Sequence, residues 1–300
     1  MSKPVYARYE LDQSPFYNLN RKKDLFQLLG TSSNGVRRIQ TADVLYARAS
    51  ANGREIEKPR DDLKKIQKRI EDLLKRNRIP DFIHGPAKGK SYITNASVHI
   101  GADEIRCLDI ASYFQSTSSK KVFSFFKSKL HCSKDVAGIL CMLTTHKERL
   151  PTGSPSSPLV SYFAHIEMWE AISALVESYD CTLSVYIDDV TISGDKVSGT
   201  LRDGVKKILN RYGLKSKKSK EKYYRRGHSA EITGVIVGAD RSLNVPRRQH
   251  KKAYETRNSI CLVDDEYEGY SLALRLQGYE AQKAQVEKFL SRASYNAVSS

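Results

Sequence analysis

The sequence has no apolar run long enough to cross a membrane, and it lacks the cysteine pattern of small secreted domains. No hydrophobic stretch approaches the roughly 18 residues that a transmembrane helix requires. The five cysteines are odd in number and include no C-x-x-C pair, which is typical of reduced thiols in a cytosolic protein. Residues 1–17 lack the apolar core of a signal peptide. We therefore predict a cytoplasmic protein with no membrane partner.

Acidic residues are scarce relative to basic ones. In 300 residues, 50 Lys and Arg stand against 34 Asp and Glu, which gives a net charge of +16. This excess favours a polyanionic partner, with nucleic acid as the first candidate. Eleven of the cations lie between Arg202 and His228. Cations at this density can pair with phosphates, but they fit a solvated surface equally well, so the charge predicts binding and does not identify a reaction.

Hydrophobic periodicity predicts helices separated by strands and hairpins, which indicates an α+β fold. Helices are predicted over 41–46, 61–78, 159–178 and 270–293. Strands are predicted over 105–110 and 231–238, a hairpin over 182–193, and a loop over 30–35. The helix over 61–78 is the clearest element because its apolar residues recur at a spacing of 3.6.

Three acids lie where apolar strands end or turn. Asp109 follows the strand predicted from 105, and Asp188 and Asp189 occupy the turn of the Y-I-D-D hairpin. Carboxylates gathered in a partly dry site repel one another unless a cation neutralises them. Two Mg²⁺ ions would do so, and they could also bind a nucleoside triphosphate and activate a hydroxyl for in-line displacement. An Asp-Asp pair at a hairpin tip is also ordinary turn chemistry, so the dipeptide alone does not decide.

Three segments in a fixed order favour the first interpretation. L-D-I ends the first strand, L-P-T-G-S-P-S-S-P follows at 150–158, and Y-I-D-D comes last. This set resembles motifs A, B and C of reverse transcriptases. A narrower resemblance lies in N-A-S-V-H at 95–99, which matches the N-A-x-x-H signature of bacterial retron reverse transcriptases, and in I-T-G at 232–234, which is close to their V-T-G. The likeness extends from about Arg54 to the carboxyl terminus.

The resemblance implies a right-hand polymerase fold with fingers, an antiparallel palm sheet and a helical thumb, without an RNase H domain. Residues 1–240 would form fingers and palm, and residues 241–300 the RNA-binding thumb. The catalytic residues, which would also hold two Mg²⁺ ions, are Asp109, Asp188 and Asp189. The implied nucleotide-binding residues are Arg54, Arg60, Phe114, Pro151, Gly153 and Lys220. The implied RNA-binding residues are Asn95, His99, Thr233, Gly234, Arg247, Arg248, Lys251 and Lys252.

Several individual roles follow from the same resemblance. Phe114, five positions after Asp109, would exclude the ribose 2′-hydroxyl. Lys220 would donate a proton to pyrophosphate, although Lys217 and Lys218 compete for this alignment. For His99 we favour a structural hydrogen-bonding role over a catalytic one.

The implied function is synthesis of DNA from dNTPs on part of a cognate structured non-coding RNA. Priming from a 2′-hydroxyl of that RNA would give a branched RNA–DNA hybrid, msDNA, and such systems act in phage defence with an associated effector protein. One alternative is an RNA-binding protein in which the polymerase site is vestigial. Another is an intron-type or diversity-generating reverse transcriptase, which we would expect to lack N-A-x-x-H.

A glycine- and lysine-rich stretch, G-P-A-K-G-K-S at 85–91, mimics a P-loop. It is one residue short of the G-x-x-x-x-G-K-S spacing, and no buried strand leads into it. We therefore do not interpret it as a phosphate-binding loop. It belongs instead to the segment that carries the retron resemblance.

Overall fold

α-Helices and antiparallel β-sheets alternate along the chain, as the hydrophobic pattern predicts. The computed structural model describes residues 9–42, 45–51, 53–263 and 265–298. The helices are α1 Lys22–Leu29, α2 Ser33–Gln40, α3 Asp61–Leu74, α4 Tyr92–Ser97, α5 Tyr113–Ser116, α6 Ser119–Ser124, α7 Lys134–Thr144, α8 Ser157–Ala164, α9 Ile166–Glu177, α10 Gly199–Arg211, α11 Arg247–Ile260 and α12 Glu266–Val298. The strands are β1 Tyr46–Ala51, β2 Arg54–Pro59, β3 Glu104–Asp109, β4 Thr182–Tyr186, β5 Asp189–Gly194, β6 Lys222–Tyr224, β7 Ala230–Ile232, β8 Val235–Val237 and β9 Leu243–Asn244.

Four strands form an antiparallel sheet in the order β4-β5-β3-β6, which we call the central sheet. The predicted hairpin over 182–193 is confirmed, because β4 and β5 pair directly through the Y-I-D-D turn. Val185, Val190 and Ile192 are buried between this sheet and the helices that cover it. The predicted strand over 105–110 is also confirmed as β3, which pairs with β5 on one side and β6 on the other.

A second, smaller core surrounds the three-stranded sheet β7-β8-β9. Ile93 and Ala96 of α4 pack there together with Val286 of α12, whose side chain is 2% exposed. Leu243 of β9 belongs to the same cluster, so this core crosses the boundary at residue 240 that the sequence suggests. Within the described ranges, no helix, α12 included, is both long and apolar enough to span a bilayer.

Two predictions near the amino terminus differ from the structure. The loop expected over 30–35 is confirmed for residues 30–32, but α2 begins at Ser33, since the Ser32 side chain accepts a hydrogen bond from the Gly35 backbone N–H and caps this helix. Burial of Val36 and Ile39 then stabilises that helix. The prediction of a helix over 41–46 is wrong, because α2 ends at Gln40 and Tyr46 begins β1, where it pairs with Pro59 across the β1–β2 hairpin.

Two further differences lie in the carboxyl-terminal half. The strand expected over 231–238 is a hairpin, β7–β8, whose turn residues Thr233 and Gly234 have φ values of 46° and 82°. Positive φ at both central residues is typical of a type I′ turn, which matches the twist of paired strands. The helix expected over 159–178 is interrupted at His165, where α8 ends and α9 begins.

Candidate active site

The central sheet brings the three acids together. Asp109 is the last residue of β3, and its backbone register pairs it directly with Asp189, the first residue of β5. Asp188 precedes Asp189 in the turn, and its carbonyl oxygen accepts a hydrogen bond of 2.8 Å from the Ile110 backbone N–H. Positions 109 and 188 are distant in the sequence, and only the antiparallel pairing of β3 with β5 makes them neighbours.

The electrostatics of this cluster disfavour three simultaneous negative charges. Burial, together with the neighbouring carboxylates of Asp188 and Asp109, raises the pKa of Asp189 to about 6, although Lys220 and Lys222 act in the opposite direction. Asp109 is 6% exposed, so water screens its charge poorly. A cluster of this kind is stabilised by a cation.

One cation of the chain already contacts the cluster. The Nζ atom of Lys220 forms an ion pair and hydrogen bond with Oδ2 of Asp109. The preceding segment sets this contact, because the Lys217 backbone N–H donates to the Asp109 carbonyl at 2.7 Å and the short 3₁₀ helix Lys218–Lys220 follows. The structure therefore selects Lys220 over Lys217 and Lys218 as the lysine next to the acids.

The donor set suits a hard divalent cation, since carboxylate oxygens are the ligands that Mg²⁺ takes from proteins. In the described part of the chain, no three His, Cys, Asp or Glu side chains are already grouped as a metal site, and the Lys220 ammonium lies on Asp109. A divalent ion that used Asp109 would need this ammonium to leave Oδ2. Metal binding at these acids would therefore be coupled to the position of Lys220.

Phe114 lies one short turn after β3. Ser112, with φ of 49°, starts helix α5, which carries Phe114 next to Tyr113 with ring centroids 5.9 Å apart. Tyr113 is fully enclosed, donating to the Ser161 carbonyl and accepting from Trp169, whereas Phe114 is half-buried. The Phe114 ring thus packs on the buried Tyr113 ring, and part of its surface is available to a ligand.

The loop at 150–158 differs from its predicted role in one respect. We expected Gly153 to let the backbone approach a nucleotide, but a Cβ at this position would lie 2.5 Å from the carbonyl oxygen of Glu57 and 2.8 Å from Ile56 Cγ2. The close neighbour of Gly153 is therefore strand β2. Pro151 is buried, and its carbonyl accepts a hydrogen bond of 2.7 Å from Ser157 Oγ. Both residues shape the loop from inside the protein.

A buried glutamine that the sequence did not single out links this loop to the β1–β2 hairpin. Gln67 of α3 has no exposed surface, and its Nε2 donates to Tyr46 Oη and to the Leu143 carbonyl at 2.8 Å each. Its Oε1 accepts from Ser154 Oγ at 2.7 Å. Thr152 adds a second link, since its Oγ1 accepts from the Glu57 backbone N–H at 3.3 Å. Gln67 could have been recognised from the sequence, because it is a polar residue on the apolar face of the helix predicted over 61–78.

Of the two arginines expected to contact the triphosphate, the structure describes the side chain of one, Arg60. Arg54 begins β2, and its side chain lies outside the described part of the structure. Arg60 is exposed at the start of α3, where it lines a cavity of about 460 Å³ beside α2. The surroundings of Arg60 are thus α2 and the start of α3 rather than the acidic turn.

Asn95 and His99 are buried, which corrects the prediction that their side chains contact RNA. His99 has no exposed surface, and its Nδ1 and Nε2 form hydrogen bonds of 2.6 and 2.7 Å with Ser193 Oγ and Ser184 Oγ of the central sheet. Asn95, equally buried, donates from Nδ2 to Thr233 Oγ1 at 3.4 Å. The structural role favoured for His99 is therefore confirmed. His99 joins the chain just after α4 to the central sheet, and Asn95 joins α4 to the turn of the β7–β8 hairpin.

Thr233 and Gly234 form the partly exposed turn of the β7–β8 hairpin. Thr233 Oγ1 also donates to the Tyr92 carbonyl at 3.0 Å, so the turn is fixed to the start of α4. Any contact of this turn with RNA is thus made on a surface that α4 holds in place.

The cations expected to bind RNA lie on α11 and are exposed, namely Arg247, Arg248, Lys251 and Lys252. Arg248 pairs with Glu231 of β7, with Nη1 2.7 Å from Oε2, and Lys251 lies 3.7 Å from Glu255. In the basic segment 202–228, ion pairs with acids engage four of the eleven cations, Arg202, Lys206, Lys220 and Arg226. RNA binding by these surfaces stays a prediction.

Comparison with known proteins identifies the family. Residues 49–237 match the family described as reverse transcriptase (RNA-dependent DNA polymerase). The Retron Se72 reverse transcriptase of Salmonella heidelberg is 34% identical over 176 residues, which cover 56% of this chain and 46% of that protein. The Retron Mx65 reverse transcriptase of Myxococcus xanthus is 28% identical over 218 residues, 65% of this chain and 50% of that protein.

The Retron Ec86 reverse transcriptase of Escherichia coli is 26% identical over 202 residues, which cover 66% of this chain and 62% of that protein. The chain thus spans about half the length of the curated relatives it matches. The resemblance to retron reverse transcriptases inferred from the motifs is confirmed by these matches. Because the family match covers more than half of the residues and includes all three acids, this chain belongs to the reverse transcriptase (RNA-dependent DNA polymerase) family.

Proposed function

We propose that the protein is a retron-type RNA-directed DNA polymerase. It copies part of a cognate structured non-coding RNA into DNA, priming from a 2′-hydroxyl of that RNA, and the product is a branched RNA–DNA hybrid. A role in phage defence with an associated effector protein follows from the retron type. The cytoplasmic location inferred from the cysteines stays a prediction.

The register of β3 and β5 carries this proposal. It pairs Asp109 with Asp189 and places Asp188 in the adjoining turn, so three carboxylates share one edge of a buried sheet. A cluster in which burial and mutual repulsion raise the pKa of Asp189 is costly for a protein that only binds RNA, because the Lys220 ammonium offsets only part of its negative charge. Intact acids therefore favour an active polymerase over a vestigial one.

Each residue of the site has a role in the proposed reaction. Asp109, Asp188 and Asp189 would hold two Mg²⁺ ions, which when bound supply positive charge to the triphosphate and lower the pKa of the attacking hydroxyl. Lys220, displaced from Asp109, would give its proton to the departing pyrophosphate. Phe114 would contact the sugar of the incoming nucleotide and leave no space for a 2′-hydroxyl.

The rest of the chain would form the nucleic-acid channel of a right-hand polymerase. The central sheet is the proposed palm, the β1–β2 hairpin and α3 belong to the fingers, and residues 241–300 form the thumb. The exposed cations of α11 support this assignment because phosphate contacts need accessible charge. Gln67 and Thr152 would hold the fingers against the loop at 150–158.

Two assays test the proposal. The first measures incorporation of labelled dTTP on poly(rA)·oligo(dT), with Asp188→Asn compared with Asp195→Asn, an exposed acid just after β5. We expect Asp188→Asn to lose at least about 1,000-fold in rate, because a charge-stabilising ligand is removed, and to keep its RNA affinity. Asp195→Asn should match the wild type.

The second assay supplies the transcript of the DNA upstream of the reading frame and no DNA primer. DNA that stays joined to a ribonucleotide after RNase treatment supports the branched product. Incorporation that is as fast in Asp188→Asn as in the wild type would show that the catalytic assignment is wrong. A wild type that binds RNA and never incorporates dTTP would favour the RNA-binding alternative.

A further inference from the structure

The turn that carries Asp188 contains a strained residue. Ile187 has φ of 63°, in the left-handed region that β-branched residues rarely adopt because Cβ then crowds the backbone. Such a conformation persists only where neighbouring structure enforces it. Since Ile187 immediately precedes Asp188, whatever enforces its φ also sets the direction of the Asp188 carboxylate.

A segment from outside the central sheet contacts this turn. The Val185 backbone N–H donates to the Phe82 carbonyl at 2.8 Å, and the His84 N–H donates back to the Val185 carbonyl at 2.8 Å. Ile83 pairs with Val185 in a parallel bridge and is 1% exposed. Residues 82–85 thus extend the edge of β4 up to the acidic turn.

Gly85 closes this segment against Ile187. A Cβ at position 85 would lie 2.6 Å from the Ile187 backbone nitrogen, 2.7 Å from its Cγ1 and 3.2 Å from the Tyr186 carbonyl carbon. Backbone atoms cannot move aside as the end of a flexible side chain can. A side chain at position 85 must therefore shift the turn or the segment.

The segment is anchored independently of the sheet. His84 is 3% exposed, and its Nδ1 lies 2.9 Å from Thr94 Oγ1 at the start of α4. Thr94 belongs to the capping box of α4 with Ser91. Further along, Lys90 Nζ lies 3.2 Å from Asp81 Oδ1 and closes the loop on itself. These contacts limit movement of residues 82–85, so the segment stays packed against the turn.

We propose that residues 82–85, which we call the brace, hold Ile187 in its strained conformation, and that Gly85 is a positioning residue for Asp188. The role assigns a physical task to the start of the G-P-A-K-G-K-S stretch, which lacks the spacing of a P-loop. Its kinetic consequence rests on the proposed polymerase function. Its structural consequence, the geometry of the acidic cluster, does not.

The test compares Gly85→Ala with Gly138→Ala. Gly138 lies in α7, where an added Cβ meets nothing within 4 Å, so it is a matched control. Five quantities are measured on the full chain: kcat and KM for dTTP on poly(rA)·oligo(dT), Kd for that duplex, Mn²⁺ affinity of the nucleotide-free protein by electron paramagnetic resonance, and Tm.

For Gly85→Ala we expect kcat to fall about 10-fold or more, because small displacements of a catalytic group cost this much, while KM and Kd stay within about twofold. Mn²⁺ affinity should fall about threefold or more, since the carboxylates no longer converge. Gly138→Ala should leave kcat, KM, Kd and Mn²⁺ affinity unchanged and raise Tm slightly, because alanine is a better helix former than glycine. A Gly85→Ala protein with wild-type kcat and Mn²⁺ affinity would overturn the proposal that the brace positions Asp188.

The same measurements distinguish a failure of the brace proposal from a failure of the polymerase proposal. If the wild type binds the duplex and never incorporates dTTP, the polymerase proposal fails, and the Mn²⁺ comparison alone decides the brace. If Gly85→Ala loses its fold, as a collapse of Tm would show, His84→Phe replaces it.

His84→Phe keeps the ring and removes the hydrogen bond to Thr94, which loosens the anchor of the brace. We expect kcat and Mn²⁺ affinity to fall by about threefold, and His84→Asn, whose amide can still donate, to recover both. Wild-type values in His84→Phe would contradict the brace.

Discussion

Lys220 Nζ contacts Asp109 Oδ2, so an ammonium group of the chain occupies a carboxylate that the proposed metal ions would need. The contact follows from backbone geometry, since the Lys217 N–H donates to the carbonyl of Asp109 itself and the 3₁₀ helix then returns Lys220 to the same residue. Lys220 and a metal ion would therefore compete for the Asp109 carboxylate. In the reaction, the release of Lys220 would coincide with the arrival of metal and nucleotide.

This competition predicts opposite effects of Lys220→Met on metal binding and on synthesis. Mn²⁺ affinity of the nucleotide-free protein should rise about threefold or more, because a competing positive charge is removed from the cluster. The rate of dTTP incorporation should fall about 10-fold or more, because the departing pyrophosphate loses its proton donor. Electron paramagnetic resonance and steady-state kinetics measure the two quantities.

Lys218→Met is the matched control for metal affinity. Lys218 lies on the same 3₁₀ helix and is exposed, so its removal changes the net charge equally without vacating Asp109. Its Mn²⁺ affinity should stay near that of the wild type. A Lys220→Met protein that binds Mn²⁺ more weakly than Lys218→Met would show that the lysine does not compete with the metal.

Phe114→Ala should relax the choice of sugar. The ring rests on Tyr113, and its half-buried position leaves a surface that a 2′-hydroxyl would meet. Removing it should reduce the preference for dTTP over UTP, as a ratio of kcat/KM, by at least about 10-fold, because rejection by a steric clash is lost. Stability should fall by about 1–3 kcal/mol, as expected for truncation of a half-buried ring.

Phe123→Ala separates selectivity from stability. Phe123 on α6 is also half-buried, so its truncation should cost a similar free energy of unfolding. It should leave the preference for dTTP unchanged. Equal selectivity in the wild type and Phe114→Ala would mean that another residue excludes the 2′-hydroxyl.

The parts of the site that the sequence predicts are those that local patterns encode. Alternating apolar residues define β4 and β5, and the same alternation places Asp188 and Asp189 at their junction. Asp109 is marked as a strand end by the apolar run before it. The start of α2 is also encoded locally, because Ser32 is a favourable N-cap residue and the apolar residues Val36 and Ile39 follow at helical spacing. Gly30 and Gly35 give the same segment the composition of a loop, so the pattern predicts a loop there.

The parts that the sequence does not predict depend on contacts between distant segments. Nothing near Gly153 indicates that its neighbour is Glu57, and nothing near Gly85 indicates Ile187. Burial is equally hidden, because a motif such as N-A-S-V-H identifies a family and does not state which side chains face solvent. The family motif therefore predicts His99 among the RNA-binding residues, although its ring lies between two serines of the central sheet.

Gln67 allows a direct test of one such distant contact. Gln67→Leu would remove the buried hydrogen bonds that Gln67 makes with Tyr46 Oη and the Leu143 carbonyl. It would leave Ser154 Oγ with Ser156 Oγ, 3.0 Å away, as its neighbour. We expect the free energy of unfolding to fall by about 3 kcal/mol, because unsatisfied buried polar groups cost more than the hydrogen bonds contribute. Urea denaturation measures the change.

Gln27→Leu provides the comparison. Gln27 lies on α1 and is exposed, so the same substitution should change the free energy of unfolding by no more than about 0.5 kcal/mol. If Gln67→Leu were as stable as Gln27→Leu, the hydrogen bonds that join the hairpin to the loop at 150–158 would contribute little.

The buried His99 predicts that stability depends on pH in the acidic range. Burial lowers the pKa of His99 from 6.5 to about 3 in the folded protein, and a neutral ring, with one donor and one acceptor nitrogen, satisfies both serine hydroxyls. The unfolded chain therefore binds a proton between these two pH values that the folded chain does not. Stability from this group is complete above pH 6.5 and is lost progressively as the pH falls below it.

His99→Gln should make this dependence shallower. Between pH 6 and pH 5, the slope of unfolding free energy against pH should decrease by about 1 kcal/mol per pH unit, the effect of removing one such proton. His228→Gln, at an exposed position, should keep the wild-type slope. Urea denaturation at several pH values measures both slopes, and equal slopes for the wild type and His99→Gln would show that His99 already carries its proton in the folded protein.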